Sequence, residues 1–481
     1  MNKLWNKYKE MSKQAKAAIW FVVCSVLQKG VSFITVPIFA DILTTEEYGT
    51  YSLYSSWMSL LTIITSLYLF NGVLNNAMVK YKDDRDRYIS SMQGLTVTIT
   101  MLIFAIFLIF EKKWEMLFGL APIYIIMMFI EAFVTPSLHY WSGKQRFEYK
   151  YKKLVAVTLA KTVANPLLGI IAVHCASDKA FARVLSVVVV EFVFCGIIFI
   201  IQFYRGKVFF DRTYWKYALV MGMPLLPHYL SGLILNQADR IMIEKMVGRS
   251  EVAFYSVSYN VGMLVQIFSV AIGNALTPWM YQKIKSKDCK GVGKTIDLLL
   301  LMISAIAFSL MLCSPEVIAI IGSSKYDEAV YVIPPVAASV FFIFLYNLLA
   351  IPQFYYEKTK FMLFASIFAA IMNLGLNWIF IGMFGYVAAG YTTLACYIIY
   401  SIGHYIISTN LMKKENSEMA DEIFDKKIIF ILSFVTVVLG VACNFIFDYI
   451  ILRYTILLIC FVIAFIKRKQ IIGLVKEIKR K

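Results

Sequence analysis

The sequence predicts an all-α polytopic membrane protein with fourteen transmembrane helices, arranged as two parallel six-helix lobes followed by two extra helices. Of its 481 residues, 60% are hydrophobic and only 16% are charged, whereas a soluble domain is about half apolar and about a quarter charged. Apolar runs of roughly the 20 residues that a membrane-spanning helix needs recur along the whole chain. These observations exclude a soluble enzyme, a disordered chain and a secreted disulfide scaffold.

The predicted spans are apolar runs that begin and end at charged residues. The first run is too long, and is followed by too many others, to be a cleaved signal peptide. The runs cover residues 17–40, 52–73, 89–110, 116–138, 154–174, 181–203, 217–238, 252–278, 295–314, 329–352, 361–383, 386–409, 428–446 and 449–466.

Positive residues alternate between the two sides of this topology. Of the 47 Lys and Arg residues, 36 fall on the side that holds both termini, 9 on the opposite side and 2 inside spans. Because positive loops resist translocation, both termini are predicted in the cytoplasm. The formal charge of +17 is therefore a topological signal and a lipid-headgroup anchor, and we expect no nucleic-acid partner.

The connecting segments show no sign of catalysis. None is longer than about twenty residues, which leaves no room for a soluble catalytic domain. The sequence has no G-x-x-x-x-G-K-[ST] phosphate loop, no C-x-x-C pair and no two histidines at metal-ligand spacing. We therefore expect a transporter rather than an enzyme, without metal or cofactor, and coupling to an H⁺ or Na⁺ gradient is left open.

Two halves of the chain resemble each other. Leu43 to Ser52 (LTTEEYGTYS) aligns with Val247 to Ser256 (VGRSEVAFYS), and a second set beginning at Lys150 aligns with one beginning at Lys358. Six spans per half put both halves in the same membrane direction, and parallel repeats are typical of transporters. The predicted organisation is a cytoplasmic segment at 1–16, an N-lobe at 17–204, a linker at 205–216, a C-lobe at 217–410, a cytoplasmic loop at 411–427, two extra spans at 428–466 and a basic tail at 467–481.

Lys29 is the clearest candidate functional residue. A charge inside a bilayer costs at least about 2.5–3.5 kcal/mol, and Lys29 lies ~18 Å into the first span, near the middle of a ~30 Å core. Ser25 and Ser32 share its helical face. This polar stripe favours a helix that lines a wet cavity. A buried lysine paired with a structural carboxylate is the alternative.

Three further charges lie inside the fourth, fifth and sixth spans, at a depth similar to that of Lys29. Lys161 in the fifth span and Glu131 in the fourth form either a structural pair or a substrate contact. Glu191 in the sixth span has no evident partner and is a candidate titrating group for ion coupling. Glu131, Glu191 and Asp239 are accordingly the candidate coupling or gating residues.

The seventh span combines Pro224 and Pro227 with the polar run Asn236-Gln-Ala-Asp-Arg at its end. Two prolines three residues apart bend or unwind a helix, and broken helices border the binding sites of transporters. Asp239 and Arg240 are either an interfacial cap and salt bridge at the outer end or a gating and substrate pair.

The sequence resembles the polysaccharide repeat-unit flippases (Wzx-type) of the multidrug/oligosaccharidyl-lipid/polysaccharide (MOP) exporter superfamily. The resemblance covers nearly the whole chain. Its residues are Lys29 and Pro37 followed by Leu43-Thr-Thr-Glu-Glu-Tyr-Gly-Thr-Tyr, then Asn236-Gln-Ala-Asp-Arg-Ile-Met-Ile, Phe254-Tyr-Ser-Val-Ser-Tyr, and Ser314-Pro-Glu-Val-Ile, which looks like that family's short outer segment between the ninth and tenth spans.

This resemblance implies a MATE-like fold in the bacterial inner membrane, with two lobes around a central cavity that opens alternately to each face. It implies translocation of an undecaprenyl-pyrophosphate-linked oligosaccharide for capsule, O-antigen or exopolysaccharide synthesis. Expected partners are membrane lipids, a polysaccharide polymerase and chain-length proteins. An anionic, sugar-rich headgroup needs cations and hydrogen-bonding groups inside the bilayer, so the candidate substrate-binding residues are Lys29, Lys161, Arg240, Asn236, Gln237, Asn260 and Asn373.

The sequence also leaves other functions open, to different degrees. A lipid II or teichoic-acid precursor flippase of the same superfamily is the nearest alternative. A drug/cation antiporter is disfavoured because the deepest charge is a lysine rather than a carboxylate. A membrane polysaccharide polymerase or ligase is the competitor from another class, but such enzymes usually carry a long external loop, and the longest outer connections here are about fifteen residues.

Overall fold

The computed structural model describes residues 11–287, 289, 291–358, 360–415 and 422–462. The chain divides into two compact units, Met1–Lys245 and Met246–Lys481. The linker predicted at 205–216 lies inside the first unit. The predicted tail at 467–481, most of the N-terminal segment and part of the loop at 411–427 lie outside the described residues.

The first unit contains the helices that correspond to the first seven predicted spans, together with two short helices. They are α1 (Lys13–Ile42), α2 (Thr45–Ser66), α3 (Val73–Lys80), α4 (Arg85–Ile109), α5 (Glu111–Phe118), α6 (Pro122–Phe147), α7 (Tyr151–Cys175), α8 (Lys179–Gly206), α9 (Arg212–Gly222) and α10 (Leu226–Met246), whose last residue belongs to the second unit.

The second unit is built around α15, which packs against α11, α12, α13, α17 and α18. The helices are α11 (Arg249–Gly262), α12 (Val265–Ser286), α13 (Val292–Leu312), α14 (Ser314–Gly322), α15 (Ile333–Tyr355), α16 (Lys360–Phe384), α17 (Val387–Glu415), α18 (Lys426–Ala442) and α19 (Ile450–Val462), with a 3₁₀ segment Ser323–Val332 between α14 and α15.

Every predicted span overlaps a helix, which confirms the all-α fold class. In the described part of the chain, 10 helices are long and apolar enough to cross a membrane, or up to 11 if α11 and α12, which meet at 43°, form one bent span. The helices α2 and α17 are rich in Tyr, Ser and Thr, and α19 is shorter, so these three are not among them. The protein is a multi-pass membrane protein.

Two helix starts differ from the predicted spans because capping residues determine them. The helix predicted at 52–73 begins at Thr45: the Thr44 hydroxyl accepts from the Glu47 amide at 3.2 Å, and the Glu47 carboxylate accepts from the Thr44 amide at 2.7 Å. The span predicted at 116–138 is divided, because Gly119 adopts a left-handed conformation (φ 63°) that ends α5 and Pro122 starts α6.

The seventh predicted span is broken at Pro224, as expected. A 3₁₀ turn, Met223–Leu225, separates α9 from α10, because a proline cannot donate the backbone hydrogen bond of a continuous helix. The helix α10 continues to Met246, so Asp239 and Arg240 lie inside it and are buried. Of the two predicted alternatives, a cap at the end of the helix does not fit this position, and a gating and substrate role stays a prediction.

Gly94 offers a test of the packing in the first unit. A Cβ at this position in α4 would overlap the backbone carbonyl of Phe209, whereas a Cβ at Gly196 in α8 would meet nothing within 4 Å. We expect Gly94→Ala to lower stability by about 1–3 kcal/mol, since overpacking forces the backbone apart. Thermal unfolding of the purified protein measures this effect. Gly196→Ala is the control, and equal melting temperatures for the two variants would contradict the packing.

Candidate functional site

The first unit holds a group of buried polar side chains, hereafter the N-unit cluster: Tyr54, Glu131, Lys161, Glu191 and Cys195. They come from four helices, α2, α6, α7 and α8. Tyr54, Glu131, Lys161 and Glu191 each lie roughly 14–18 Å along their helix from its first residue, at ~1.5 Å per residue. This depth is the middle of a membrane span, where an ionised group needs a partner.

Lys161 and Glu191 form an ion pair at the centre of the N-unit cluster. The Lys161 Nζ atom lies 2.6 Å from Glu191 Oε1, and the two side chains are only 21% and 10% exposed. The thiol of Cys195 donates to Glu191 Oε2 at 3.2 Å. The predicted pairing of Lys161 with Glu131 is therefore wrong, and so is the expectation that Glu191 lacks a partner. The packing of α7 on α8 determines the pairing.

Glu131 is buried beside this pair and is held by a neutral group. Its Oε2 atom accepts a hydrogen bond from the Tyr54 hydroxyl at 2.8 Å, and it interacts electrostatically with both Glu191 and Lys161. The cluster therefore contains two carboxyl groups and one ammonium group. With all three ionised it carries a net charge of −1, which one added cation would neutralise.

Arg183 adds a second buried cation that the sequence analysis counted only as an outer-side charge. Its guanidinium lies 4.1 Å from the Phe39 ring centroid and 4.5 Å from that of Tyr51. It donates to the Asn165 side-chain oxygen at 3.1 and 3.2 Å and to the Tyr51 hydroxyl at 3.1 Å. The side chain is almost fully buried, so α1, α2, α7 and α8 all contribute to holding this charge.

Tyr51 and Tyr54 connect Arg183 to Glu131. They are three residues apart on α2, and residues at this spacing share a helical face. One tyrosine bonds Arg183 and the other bonds Glu131. The N-unit cluster and Arg183 together hold two acidic and two basic groups. The signal in the sequence was the Tyr-x-x-Tyr spacing, which is easily overlooked because tyrosine also counts as hydrophobic.

Side chains of the polar run of α10 make contacts both within their own helix and with α2. Gln237 accepts from the Ser56 hydroxyl at 3.0 Å. Arg240 donates to the Asn236 carbonyl at 2.8 Å, and the Asn236 amide donates to Gly232 at 2.6 Å. The Gln237 side chain thus ties α10 to α2, and the roles of the run in transport stay predictions.

Lys29 is exposed on α1, and so are Ser25 and Ser32 on the same face. Both serine hydroxyls donate to carbonyls of their own helix, at 2.9 and 3.0 Å. Among the described residues, no carboxylate lies within ion-pair distance of Lys29. Lys29 is therefore not the buried lysine paired with a structural carboxylate that was the alternative prediction. Its ammonium group is available to a ligand.

Two predicted sugar contacts lie in the second unit and differ in burial. Asn260 is exposed on α11. Asn373 is fully buried on α16, where its side-chain oxygen accepts from Asn377 at 3.2 Å, and Asn377 in turn bonds Thr392 of α17. Asn373 therefore belongs to an interhelical hydrogen-bond chain, and a contact with the substrate stays a prediction.

A comparison with protein families shows to which family this sequence belongs. A family described as "Polysaccharide biosynthesis protein" matches residues 15–283, which is more than half of the chain and includes the whole N-unit cluster. The chain belongs to the polysaccharide biosynthesis protein family. The MatE family also matches, over residues 224–379.

Curated relatives of this family member come from Haemophilus influenzae. "Lsg locus putative protein 1" is 24% identical over 376 residues, which cover 75% of this chain and 89% of the relative. An "Uncharacterized membrane protein" of the same organism is 23% identical over 370 residues, covering 74% of this chain and 87% of the relative.

Solved structures share the fold of this family member. "Lipid II flippase MurJ, inward closed conformation" superimposes with a TM-score of 0.68 at 12% identity, covering 91% of this chain and 100% of that one. An inward-facing multidrug resistance MATE family transporter of the MOP superfamily gives 0.60 at 16% identity, covering 82% and 99%. Together with the family match, these likenesses confirm the resemblance to the polysaccharide flippases of the MOP superfamily.

The Lys161–Glu191 pair can be tested by a double-mutant cycle. Lys161→Met leaves a buried carboxylate without its partner, so we expect a loss of about 3–5 kcal/mol, whereas replacing both partners restores most of it. Thermal unfolding of Lys161→Met, Glu191→Gln and the double variant measures the coupling. Lys152→Met, an exposed site on the same helix, is the control. Additive losses in the double variant would refute the pairing.

Proposed function

We propose that this protein is a flippase that moves an undecaprenyl-pyrophosphate-linked oligosaccharide from the cytoplasmic to the outer leaflet of the bacterial inner membrane. The observation that carries the proposal is the presence of charged groups at mid-span in a member of the polysaccharide biosynthesis protein family. The charge pattern supports cytoplasmic termini. A polysaccharide polymerase and chain-length proteins are the proposed partners, because flipped repeat units must then be joined.

Lys29 is the proposed contact for the pyrophosphate. It is exposed, lies near the middle of α1 and has no acidic partner among the described residues. An unpaired ammonium group in a low-dielectric region attracts an anionic headgroup strongly, since little water screens it. Lys161 is already neutralised by Glu191, so we assign it to the coupling site rather than to the substrate. Arg240, Asn236 and Gln237 are kept as candidate substrate contacts, and so are Asn260 and Asn373.

The N-unit cluster is the proposed coupling site. The cluster has two carboxyl groups, and its one ammonium group is paired with Glu191, so the site has room for one further positive charge. A proton bound to a carboxyl group or a Na⁺ ion would supply it, and the pairing of α7 with α8 would then respond to the ion. Asp239, buried in α10, is a candidate gating residue.

Lipid II or a teichoic-acid precursor is the second candidate substrate. A lipid II flippase has this fold, and these lipids also join phosphate groups to sugars. Presenting each lipid to the reconstituted protein distinguishes the candidates, because a transporter specific for a repeat unit would leave lipid II on the inner side. Transport of lipid II alone would replace the first proposal by the second.

Lys29→Ala should abolish export of the glycan while the amount of protein in the membrane stays normal, because the lysine contacts the substrate but no acidic residue of the described chain. Surface polysaccharide and membrane protein are quantified in the same cells. Lys16→Ala, near the start of the same helix, serves as the control and should export normally. Unchanged export in Lys29→Ala would remove this residue from the substrate site.

Glu131→Gln should remove the dependence of transport on an ion gradient, because the amide keeps a hydrogen-bond acceptor for Tyr54 but cannot bind a proton. The measurement is transport in proteoliposomes with an imposed H⁺ or Na⁺ gradient. Glu46→Gln, an exposed acidic site on α2, should behave like the wild type. A wild-type rate that is indifferent to both gradients would exclude ion coupling.

A further inference from the structure

The second unit contains a pocket that the proposed transport mechanism does not use. This pocket, hereafter the outer pocket, has a volume of about 340 Å³ and is lined by residues that include Ile318, Asp327, Glu328, Tyr331, Phe447 and Asp448. Phe447 and Asp448 belong to the connection between the last two predicted spans, and the other residues belong to the connection between the ninth and tenth spans or, like Tyr331, to the start of the tenth. The distribution of positive charges predicts both connections on the outer side of the membrane.

The two extra helices complete the outer pocket. Ile318 and Tyr331 come from α14 and the 3₁₀ segment that follows it, whereas Phe447 and Asp448 come from the turn between α18 and α19. One wall of the pocket therefore comes from the second repeated half of the chain. The other wall comes from the two extra helices, which lie outside the repeat. Neither wall forms the pocket alone.

Arg453 fixes the position of these two walls. It begins the second turn of α19, is 2% exposed, and donates to the Glu316 carboxylate of α14 at 2.8 Å and to the Leu312 carbonyl of α13 at 2.7 Å. The Tyr454 hydroxyl bonds the other Glu316 oxygen at 3.0 Å. A buried ion pair with several hydrogen bonds has a defined geometry. The outer pocket is thus held open by fixed contacts.

The lining of the outer pocket combines aromatic faces with hydrogen-bond acceptors. The Tyr331 and Phe447 rings lie 5.8 Å apart and are tilted by 47°, and Tyr331 is 45% exposed. Asp327, Glu328 and Asp448 line the same space. Aromatic rings cover the C–H face of a sugar, and carboxylates accept hydrogen bonds from its hydroxyl groups. Three carboxylates also repel phosphate and other anions.

We propose that the outer pocket binds a sugar unit of the translocated glycan, one that carries no negative charge. The proposal rests on the proposed function for the origin of that glycan. The pocket binds a neutral or amino sugar through Tyr331 and Phe447, and Asp327, Glu328 and Asp448 orient its hydroxyl or amino groups. It is a glycan subsite separate from the pyrophosphate contact, and it gives the two extra helices a part in substrate recognition.

Binding of a free oligosaccharide to the full-length protein in nanodiscs tests this subsite. The probe is the oligosaccharide released by mild acid from the lipid-linked glycans of the cells that make this protein, and saturation-transfer NMR and calorimetry detect it. We expect Tyr331→Ala to weaken binding about tenfold and Tyr331→Phe to retain it, because the phenyl ring keeps the stacking face. Asp448→Asn should weaken it as well. The matched control is Tyr449→Ala, an outer tyrosine that is 63% exposed and is not among the lining residues.

Several results would overturn the proposal. They are an absence of binding to the wild type, equal affinity in the wild type and Tyr331→Ala, or preference for trigalacturonate over the released oligosaccharide. Binding of Ca²⁺ or of a lysine-rich peptide in place of the oligosaccharide would also overturn it. Vesicle transport by the same preparation separates the two proposals: transport without oligosaccharide binding removes only the subsite, and binding without transport removes only the flippase.

Discussion

The ion pair between Lys161 and Glu191 is the interaction on which the first unit depends most. A charge at mid-span is expensive unless it is paired, so α7 and α8 must stay in contact wherever both groups are ionised. Glu131 lies beside this pair, and its one side-chain donor among the described residues is the Tyr54 hydroxyl. The same three residues therefore hold helices together and leave a site that one more cation can occupy. The proposed coupling would therefore be linked to stability, because an ion that enters would alter the charge that α7 and α8 share.

The spans could be predicted from sequence because the bilayer imposes a simple constraint. A segment in hydrocarbon must satisfy its own backbone hydrogen bonds, so a long apolar run has to be a helix. The exact bounds follow from local chemistry instead. Thr44 and Glu47 start α2 earlier than hydropathy predicts, and Gly119 and Pro122 divide the fourth predicted span. Hydropathy reports the surroundings of a segment, whereas caps and prolines decide where the backbone begins to turn.

The site could be predicted only in part, because depth is visible in sequence and helix rotation is not. The depths of Lys161 and Glu191 identified both as buried charges, yet their pairing required knowing which faces of α7 and α8 meet. Arg183 was overlooked as a buried group because it lies near a span end, where a cation normally extends to the interface. Aromatic rings on both sides keep it inside instead.

Two helices at corresponding positions of the predicted repeat differ in the chemistry of their buried polar groups. The helices α7 and α16, which begin at the repeated Lys motifs, each have 25 residues. In the first unit α7 carries an ionised pair to α8, whereas in the second α16 carries the neutral Asn373–Asn377 chain, and α15 and α17 are joined by the Gln353–His404 bond at 3.0 Å. Neutral amides hold helices together without needing a counter-ion. The predicted repeat thus keeps the length of this helix but not its charge. Under the proposed mechanism, an ion that binds the N-unit cluster would act on the first unit, and the second unit would contribute to recognising the glycan.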